Sequence, residues 1–227
     1  MDDNKKFLLI GNSRLHWAEK IKNNYVFTHS KINKLLLKDT NLENLIWASV
    51  GIFPTEILKK ENEIITKKLN IQNLPHYFGI DRALGAFAAL KTFNNPMKKN
   101  LLIADCGTTL SITKISSNGV LIGGQLIPGF STQLKSMELS TNKLEAPTNQ
   151  NIPKKDFLLD TKEAMIKGVT NSILGAILMA FNHKEDFLII CGGDAELIGS
   201  LLTTKEIRCK IQPNLVMLGM IFFSKYN

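Results

Sequence analysis

The chain has 227 residues, enough to bury the core of one large domain or of two small ones. Its net charge of +8 comes mainly from dispersed lysines, with arginine only at Arg14, Arg82 and Arg208, which argues against a nucleic-acid partner. The three cysteines lack metal or redox spacing and predict free thiols in a reducing compartment. The N-terminus lacks the apolar stretch of a signal peptide, and no apolar run approaches the roughly 20 residues that cross a bilayer. We therefore expect a cytoplasmic protein without a membrane partner.

The first candidate for chemistry is a turn near the N-terminus. A short apolar strand over Phe7–Ile10 ends in Gly11-Asn12-Ser13, and a second strand is predicted over Leu15–Ala18. Glycine lets the backbone approach an anion, and the polar side chains add donors, so the turn is a candidate phosphate site. A plain hairpin turn is the alternative, because Asn and Gly both tolerate positive φ. Further strand and surface-helix patterns are predicted at Leu45–Val50 and Thr55–Leu69.

An acidic residue beside one of the rare arginines marks the start of an alanine-rich helix, predicted over Ala83–Phe93. Asp81 has two interpretations that stay open: a first-turn acid that stabilises the helix, or a general base that orients a hydroxyl. In the second interpretation, Arg82 is a fork for a carboxylate or phosphate. The polar segment Asn94–Asn100 is the expected boundary between two halves, residues 1–97 and residues 98–227.

The central stretch Leu101–Phe130 carries the second candidate phosphate turn. An apolar strand ends in Asp105-Cys106-Gly107-Thr108-Thr109, which places a carboxylate, a closely approachable backbone and two hydroxyls together. Strands over Leu110–Ile115 and Val120–Ile122 are predicted next, before a helix that begins near Ser131. An ordinary glycine-rich meander is the alternative. Because this turn repeats the pattern of the first one about ninety residues earlier, the pair indicates a duplicated fold.

The remaining chain adds three candidate features. A polar loop over Thr141–Asp156 precedes a long helix predicted over Lys162–Phe181. Thr161 is either its N-cap or a substrate contact, and local sequence favours capping. The strand Phe187–Ile190 runs into another glycine turn, Gly192-Gly193-Asp194, and a C-terminal helix over Pro213–Phe223 is predicted to close the second half.

Together these motifs resemble the type III pantothenate kinases, a family in the superfamily of acetate and sugar kinases, Hsp70 and actin. The resemblance covers nearly the whole chain and rests on Gly11-Asn12-Ser13, Gly79-Ile80-Asp81-Arg82, Asp105-Cys106-Gly107-Thr108-Thr109, Gly123-Gly124-Gln125-Leu126-Ile127-Pro128-Gly129, Thr161 with Ala164 and Gly168, and Gly192-Gly193-Asp194-Ala195. It implies an α/β fold of two ribonuclease H-like, actin/sugar-kinase-type halves, each a mixed sheet flanked by helices.

The resemblance also implies an activity and its residues. A type III enzyme transfers the γ-phosphoryl group of ATP to the 4′-hydroxyl of pantothenate, the first step of coenzyme A synthesis. By this resemblance Asp81 is the base, and Asp105 is the ligand of a potassium or ammonium ion that acts beside Mg²⁺. The pantothenate contacts it implies are Tyr77, Gly79, Ile80, Asp81, Arg82 and Thr161. The ATP contacts it implies are Ile10, Gly11, Asn12, Ser13, Arg14, Leu15, His16, Gly107, Thr108 and Thr109. A homodimer with the substrate site near the subunit interface is implied as well.

Two positions depart from the family pattern. The first turn of the family reads Asp-x-Gly-Asn-Thr with a lysine a few residues later, whereas this chain has Leu9 and His16 at those positions. Leucine cannot bind a metal, so Mg²⁺ is expected to be held mainly by ATP and water. A protonated histidine is a weaker phosphate partner than lysine at neutral pH. The alternative function is therefore a non-catalytic relative of the same fold that binds nucleotide or regulates a partner.

Overall fold

The computed structural model describes residues 5–32, 44–51, 58–93, 98–149 and 151–226. The chain forms two compact units, which interleave along the sequence. Unit 1 comprises Met1–Lys98, Ile115–Ile122 and Asn214–Asn227, and unit 2 comprises Lys99–Lys114 and Gly123–Pro213. Each unit contains a sheet with flanking helices, so the predicted α/β fold class is confirmed. The division at residues 97 and 98 stays a prediction of domain organisation, and residues 94–97 of that boundary lie outside the described residues.

The sheet of unit 1 has four strands in the order β3-β2-β1-β4. They are β1 (Lys6–Ile10), β2 (Arg14–Ile21), β3 (Asn24–Lys31) and β4 (Leu45–Ser49). Strand β1 pairs antiparallel with β2 and parallel with β4, so the sheet is mixed. Four of the five residues of β1 are buried, as its uninterrupted apolar run predicts for an inner strand.

Two helices pack against each other in unit 1, namely α1 (Ile80–Thr92) and the C-terminal helix, called α5 below (Leu215–Tyr226). Their backbones approach closely, because a Cβ built on Gly219 would overlap the carbonyl group of Leu84. The small residues of α1 therefore serve a helix pair inside the unit. The prediction that the C-terminal helix closes the second half is wrong, because its packing partner is α1 of unit 1.

The surface helix predicted over Thr55–Leu69 is also wrong for the described part, which begins at Leu58. The segment forms two short 3-10 turns, Lys60–Asn62 and Thr66–Lys68, with an extended stretch between them. The reason is pairing with β4: Ile64 N donates to Trp47 O at 2.7 Å, and the Trp47 indole donates to Lys59 O at 2.9 Å. A backbone bonded to a neighbouring strand cannot also complete the hydrogen bonds of an α-helix.

The sheet of unit 2 has five strands in the order β7-β6-β5-β8-β9. They are β5 (Asn100–Cys106), β6 (Thr109–Ile115), β7 (Leu121–Pro128), β8 (Asp186–Cys191) and β9 (Lys210–Ile211). Strand β7 runs further than predicted, because Gly123 takes φ of +145° inside the strand and does not end it. The helices of the unit are α2 (Phe130–Ser140), α3 (Thr161–Ala180) and α4 (Ala195–Thr204). None of the described helices combines the length and the apolar character needed to cross a membrane.

A buried carboxylate anchors the start of β8. The Asp186 side chain is fully buried and contacts Lys114 Nζ at 2.9 Å, while Asn100 Nδ2 donates to it at 3.1 Å. The backbone N–H of Asn182 adds a further hydrogen bond at 2.9 Å. Three donors from separate parts of the chain thus meet one buried charge, which is the condition under which such a charge is tolerated.

Lys114→Met will destabilise the protein by about 3 kcal/mol, because it leaves the buried Asp186 carboxylate without its countercharge. The measurement is denaturant unfolding of the variant and the wild type. Lys162→Met is the matched control, because Lys162 pairs with Glu145 on the exposed surface and should change stability little. Equal stability losses in both variants would contradict the account.

Candidate active site

The first glycine turn lies between β1 and β2 of unit 1 and is closed by its own backbone. Gly11 N donates to Arg14 O at 2.9 Å, so this N–H is used inside the turn. A Cβ on Gly11 would stand 3.0 Å from Arg14 O and 3.3 Å from His16 Nε2, which explains why glycine occupies the position. The side chains of Asn12, Ser13 and Arg14 are exposed. The turn therefore presents polar side chains to solvent.

Two of the residues implied as ATP contacts have their side chains in the core. Ile10 and Leu15 are 1% and 0% exposed, so they can offer a nucleotide only their backbone groups. Leu9 is equally buried, at 5% exposure, and pairs with His16 across β1 and β2. The position that carries a carboxylate in the family pattern thus belongs to the apolar core here.

His16 is half-buried and lies opposite His29 of β3. Their Nδ1 atoms are 2.9 Å apart, and the rings meet edge to face. Burial, followed by the nearby charges of His29 and Arg14, lowers the pKa of His16 to about 4. His16 is therefore neutral at neutral pH and cannot replace the positive charge of a lysine there. The contact with His29 had no signal in the sequence, because it depends on the register of two strands.

The carboxylate of Asp81 is held at the start of α1. Gly79 is the N-cap, and Asp81 Oδ1 accepts a hydrogen bond from the backbone N–H of Arg82 at 2.7 Å. A Cβ on Gly79 would come within 2.9 Å of the same oxygen, so the carboxylate lies back over the bare glycine. Asp81 is only half-buried and remains reachable from solvent. Its place in the first helical turn confirms the structural interpretation and leaves room for the catalytic one.

Some residues near Asp81 could contact a ligand through their side chains, and others only through their backbone. The Arg82 guanidinium lies 4.0 Å from the centre of the Phe78 ring, a cation–π contact. Burial lowers the pKa of Arg82, and the charge of Asp81 acts in the opposite direction. The Tyr77 ring is 79% exposed, whereas Ile80 is buried and offers only its backbone to a ligand.

If Asp81 is the general base, Gly79→Ala will lower kcat of the catalysed reaction by about tenfold to a hundredfold while the protein stays folded. The backbone at Gly79 has negative φ, which alanine accepts, but the new Cβ would push the Asp81 carboxylate from its position. Steady-state kinetics and thermal unfolding measure the two effects. Gly85→Ala is the control, since a Cβ there meets only Val216 at an ordinary 3.7 Å. Wild-type kcat in Gly79→Ala would contradict the positioning role of this glycine.

The second glycine turn, in unit 2, connects β5 to β6 and is held against the start of α2. Gly129 N and the Thr132 hydroxyl both donate to Thr108 O, at 2.9 and 2.7 Å. A Cβ on Gly129 would overlap the Gly107 carbonyl oxygen, so two glycines meet here. The Thr108 and Thr109 residues are exposed at this turn. The last glycine of the Gly-Gly-x-x-x-Pro-Gly element, Gly129, thus contacts and stabilises the turn that carries Thr108 and Thr109.

A third glycine turn packs directly onto Asp105. Strands β5 and β8 are parallel neighbours with Asp105 opposite Cys191, so both chains leave the same edge of the sheet. Gly192 takes φ of +89°, and a Cβ there would overlap the Asp105 carboxylate and the Cys106 carbonyl. Asp194 N donates to Cys106 O at 2.9 Å. Burial raises the pKa of the Cys106 thiol, so it stays protonated beside this carboxylate.

Thr161 is exposed at the first position of α3, and its predicted capping role is wrong. The N-cap is Asp160, whose Oδ1 accepts from Glu163 N at 2.9 Å. One and two turns along α3, Ala164 and Gly168 border an open groove of about 340 Å³ between α2 and α3, with Pro128 and Met137 on its other side. Thr161 therefore does not cap the helix. It lies one turn of α3 before Ala164, which lines the groove.

Comparison with known proteins identifies the family. A sequence profile of the family described as type III pantothenate kinase matches residues 37–183. The chain belongs to the type III pantothenate kinase family. A type III pantothenate kinase of Synechocystis sp. is 31% identical, over 94% of this chain and 87% of that protein. One of Synechococcus elongatus is 27% identical, over 94% and 93% of the two chains.

Solved structures support the fold at lower identity. A conserved Baf family protein from Campylobacter jejuni, named as a transcriptional activator, has a TM-score of 0.72 at 21% identity and covers 98% of both chains. A polyphosphate/ATP-glucomannokinase from Arthrobacter sp. has a TM-score of 0.50 at 10% identity and covers both chains completely. These two likenesses concern the fold, and they agree with the sugar-kinase-type architecture predicted from the motifs.

The profile match of the type III family begins downstream of the first turn. Residues 37–183 include the Gly79–Arg82 and Asp105–Thr109 motifs but not Gly11–Ser13, Leu9 or His16. The two departures from the family pattern therefore fall in the part of the chain that the profile does not match. Among the described residues no cluster of three or more histidine, cysteine or acidic side chains is arranged to hold a metal ion.

Proposed function

We propose that this protein phosphorylates the 4′-hydroxyl of pantothenate with ATP, giving 4′-phosphopantothenate in the first step of coenzyme A synthesis. The single observation that carries the proposal is the Asp81 carboxylate, oriented by Arg82 N over the bare Gly79 in a chain of this family. An oriented, solvent-reachable carboxylate is what the nucleophilic hydroxyl requires, since phosphoryl transfer depends chiefly on positioning and charge stabilisation. The consumption of ATP agrees with a cytoplasmic location.

Asp81 accepts the proton of the 4′-hydroxyl as its oxygen attacks the γ-phosphorus. The bond from the γ-phosphorus to the bridging oxygen breaks, and ADP leaves with the electron pair. Arg82 is braced against Phe78 and supplies a fixed positive charge for an anionic group of the substrates. Within unit 1, the backbone of Gly79 and Ile80 and the Tyr77 ring are the further proposed pantothenate contacts. The Thr161 hydroxyl of unit 2 is proposed as a contact on the family resemblance alone.

Each glycine turn, taken within its own unit, is a proposed contact for the phosphates of ATP. In unit 1 the contacts come from the Gly11–Ser13 turn, Arg14 and His16, with Ile10 and Leu15 contributing backbone groups. In unit 2 they come from Gly107, Thr108 and Thr109. Arg14 is exposed beside the first turn and is the cation there, since His16 is neutral at pH 7. An exposed arginine at a phosphate turn supplies the charge that the family pattern takes from lysine.

Asp105 fits the role of a monovalent-cation ligand. The Asp105 carboxylate and the Cys106 carbonyl both pack closely against the bare Gly192, so two oxygen ligands lie in the same small region. Potassium prefers such hard oxygen ligands, and the bound ion would screen phosphate charge. Mg²⁺ keeps several of its waters and binds the phosphates directly, so the absence of a carboxylate at Leu9 is compatible with it.

We also propose that the protein is a homodimer. Unit 2 exposes four large apolar side chains almost completely, Leu139 at 85%, Phe157 at 95%, Leu159 at 107% and Met179 at 89%. These side chains are candidates for a surface that a second chain covers, provided that they form one patch. Sedimentation velocity of the full chain tests this assembly.

The alternative is a non-catalytic relative that binds nucleotide. It is favoured by the burial of Leu9 in the core and by the neutral state of His16, which remove a carboxylate and a cation from the first turn. A complementation experiment separates the two. The gene is expressed in a bacterial strain whose own pantothenate kinase can be switched off, beside its Asp81→Asn variant. Growth with the wild type but not the variant supports the kinase, and growth with neither at equal protein levels supports the alternative.

A further inference from the structure

His16 is proposed above as an ATP contact, whereas its partner His29 has been given no role. The two histidines lie directly opposite each other on β2 and β3, with their Nδ1 atoms 2.9 Å apart. A neutral imidazole carries one N–H, so at this distance one ring donates through Nδ1 and the other accepts. The pair thus has two possible arrangements: the ring that donates carries its proton on Nδ1, and the ring that accepts carries its proton on Nε2.

The other ring nitrogen of His16 is on the side of the glycine turn. The space beside Gly11 ends at His16 Nε2, 3.3 Å from where a Cβ would stand. If His16 donates through Nδ1, its Nε2 carries a lone pair toward the turn. If His29 donates, His16 Nδ1 accepts and Nε2 carries the N–H. Only the second arrangement offers a hydrogen-bond donor to an anion at the turn.

The turn offers one backbone donor fewer than its sequence suggests. The N–H of Gly11, which a glycine turn would normally present to a phosphate, is already bonded to Arg14 O. His16 has no positive charge at neutral pH, because burial and the neighbouring charges lower its pKa to about 4. A lone pair on Nε2 would repel a phosphate oxygen, whereas an N–H there would bind it. A bound phosphate therefore selects the arrangement in which His29 donates.

We propose that His29 is a positioning residue which donates Nδ1–H to His16 Nδ1 and so makes neutral His16 a hydrogen-bond donor, through Nε2–H, to a phosphate oxygen of ATP. The inference rests on the proposed function only in taking the Gly11–Ser13 turn as a phosphate site. The histidine pair would then add one directed hydrogen bond to the positive charge that Arg14 supplies at the turn. His29 acts through His16 and does not touch the nucleotide.

Nitrogen NMR of the full chain labelled with ¹⁵N-histidine tests the tautomer directly. The four histidine spin systems are recorded at pH 7 with and without a non-hydrolysable ATP analogue and Mg²⁺, and His16 is assigned by its loss in His16→Gln. We expect the nucleotide-bound His16 to be neutral with its proton on Nε2. A proton on Nδ1 of His16, or a doubly protonated ring, overturns the proposal.

Binding of the same analogue to two variants gives an independent test. His29→Phe removes the donor and should weaken binding about three- to tenfold, the usual effect of one lost hydrogen bond. His29→Gln keeps an N–H donor and should recover most of the affinity, and His183→Gln in unit 2 is the control. Wild-type affinity in His29→Phe, with folding checked by circular dichroism, overturns the proposal. Neither measurement uses pantothenate, so a chain that binds nucleotide in this way without phosphorylating pantothenate would fail only the proposed function.

Discussion

Asp81→Asn will lower kcat for pantothenate phosphorylation by about 10²- to 10⁴-fold, the range expected for loss of a general base. Asparagine keeps the shape of the side chain, and its Oδ1 can still accept from Arg82 N at the start of α1. The fold and the binding of both substrates should therefore survive. What is lost is the carboxylate that receives the proton of the attacking hydroxyl. Steady-state kinetics with ATP and pantothenate measures the loss, and thermal unfolding verifies the fold.

The control for Asp81→Asn is the same chemical change at an exposed acid outside the candidate site. Glu185 is exposed just before β8, and Glu185→Gln should leave kcat unchanged. The decisive pattern is a loss in kcat with little change in KM. If Asp81→Asn turns over at a rate near that of the wild type, Asp81 is only a first-turn acid of α1.

Activity will require potassium or ammonium, and Asp105→Asn will lower kcat/KM by about 10²-fold. The Asp105 carboxylate and the Cys106 carbonyl both pack against the bare Gly192, and a cation bound by Asp105 would screen the phosphates. Asparagine is close in size to aspartate, so the packing against Gly192 should be retained while the charge is lost. The measurement is the initial rate as a function of potassium concentration at constant ionic strength, with sodium as the replacing ion.

The cation experiment has two arms that distinguish the site from a general salt effect. The initial rate of the wild type should fall by about tenfold or more when sodium replaces potassium. Asp105→Asn should be slow in both salts. Glu185→Gln should respond to potassium as the wild type does. Equal wild-type rates in sodium and potassium would remove Asp105 from the cation role.

Much of the candidate site was predictable because its signals are local. A buried strand that ends in glycine and hydroxyl residues is visible in the sequence at Gly11–Ser13 and at Gly107–Thr109, and both are turns at strand ends in the structure. The start of α1 at Ile80 placed Asp81 in the first turn, as its pattern indicated. The family followed from the order of these short motifs, since each one alone matches many proteins.

Features that depend on distant contacts were not predictable. The periodic pattern of Thr55–Leu69 indicated a helix, but hydrogen bonds to Trp47 hold the described part of the segment in an extended form with two 3-10 turns. The C-terminal helix joins unit 1 because Gly219 permits close contact with Leu84 of α1. The N-cap of α3 is Asp160, one residue before the predicted Thr161. A difference of one residue is within the usual uncertainty of a predicted helix start.

The charge state of His16 illustrates the same limit at the level of chemistry. Its pKa depends on burial in unit 1 and on the opposite residue His29, which is thirteen positions further along the chain. An alternating strand pattern shows which residues share a face but not which residue of the next strand lies opposite. The histidine at the position of the family's lysine could therefore be noticed in the sequence, whereas its partner could be named only from the structure.

The central claim is tested most directly by pantothenate-dependent release of ADP from the purified wild-type protein, with Mg²⁺ and potassium present. We predict one ADP for each pantothenate consumed, a product heavier by one phosphoryl group on the 4′-hydroxyl, and no ADP above background when pantothenate is omitted. A folded protein that releases no pantothenate-dependent ADP with ATP or with other nucleoside triphosphates would contradict the account.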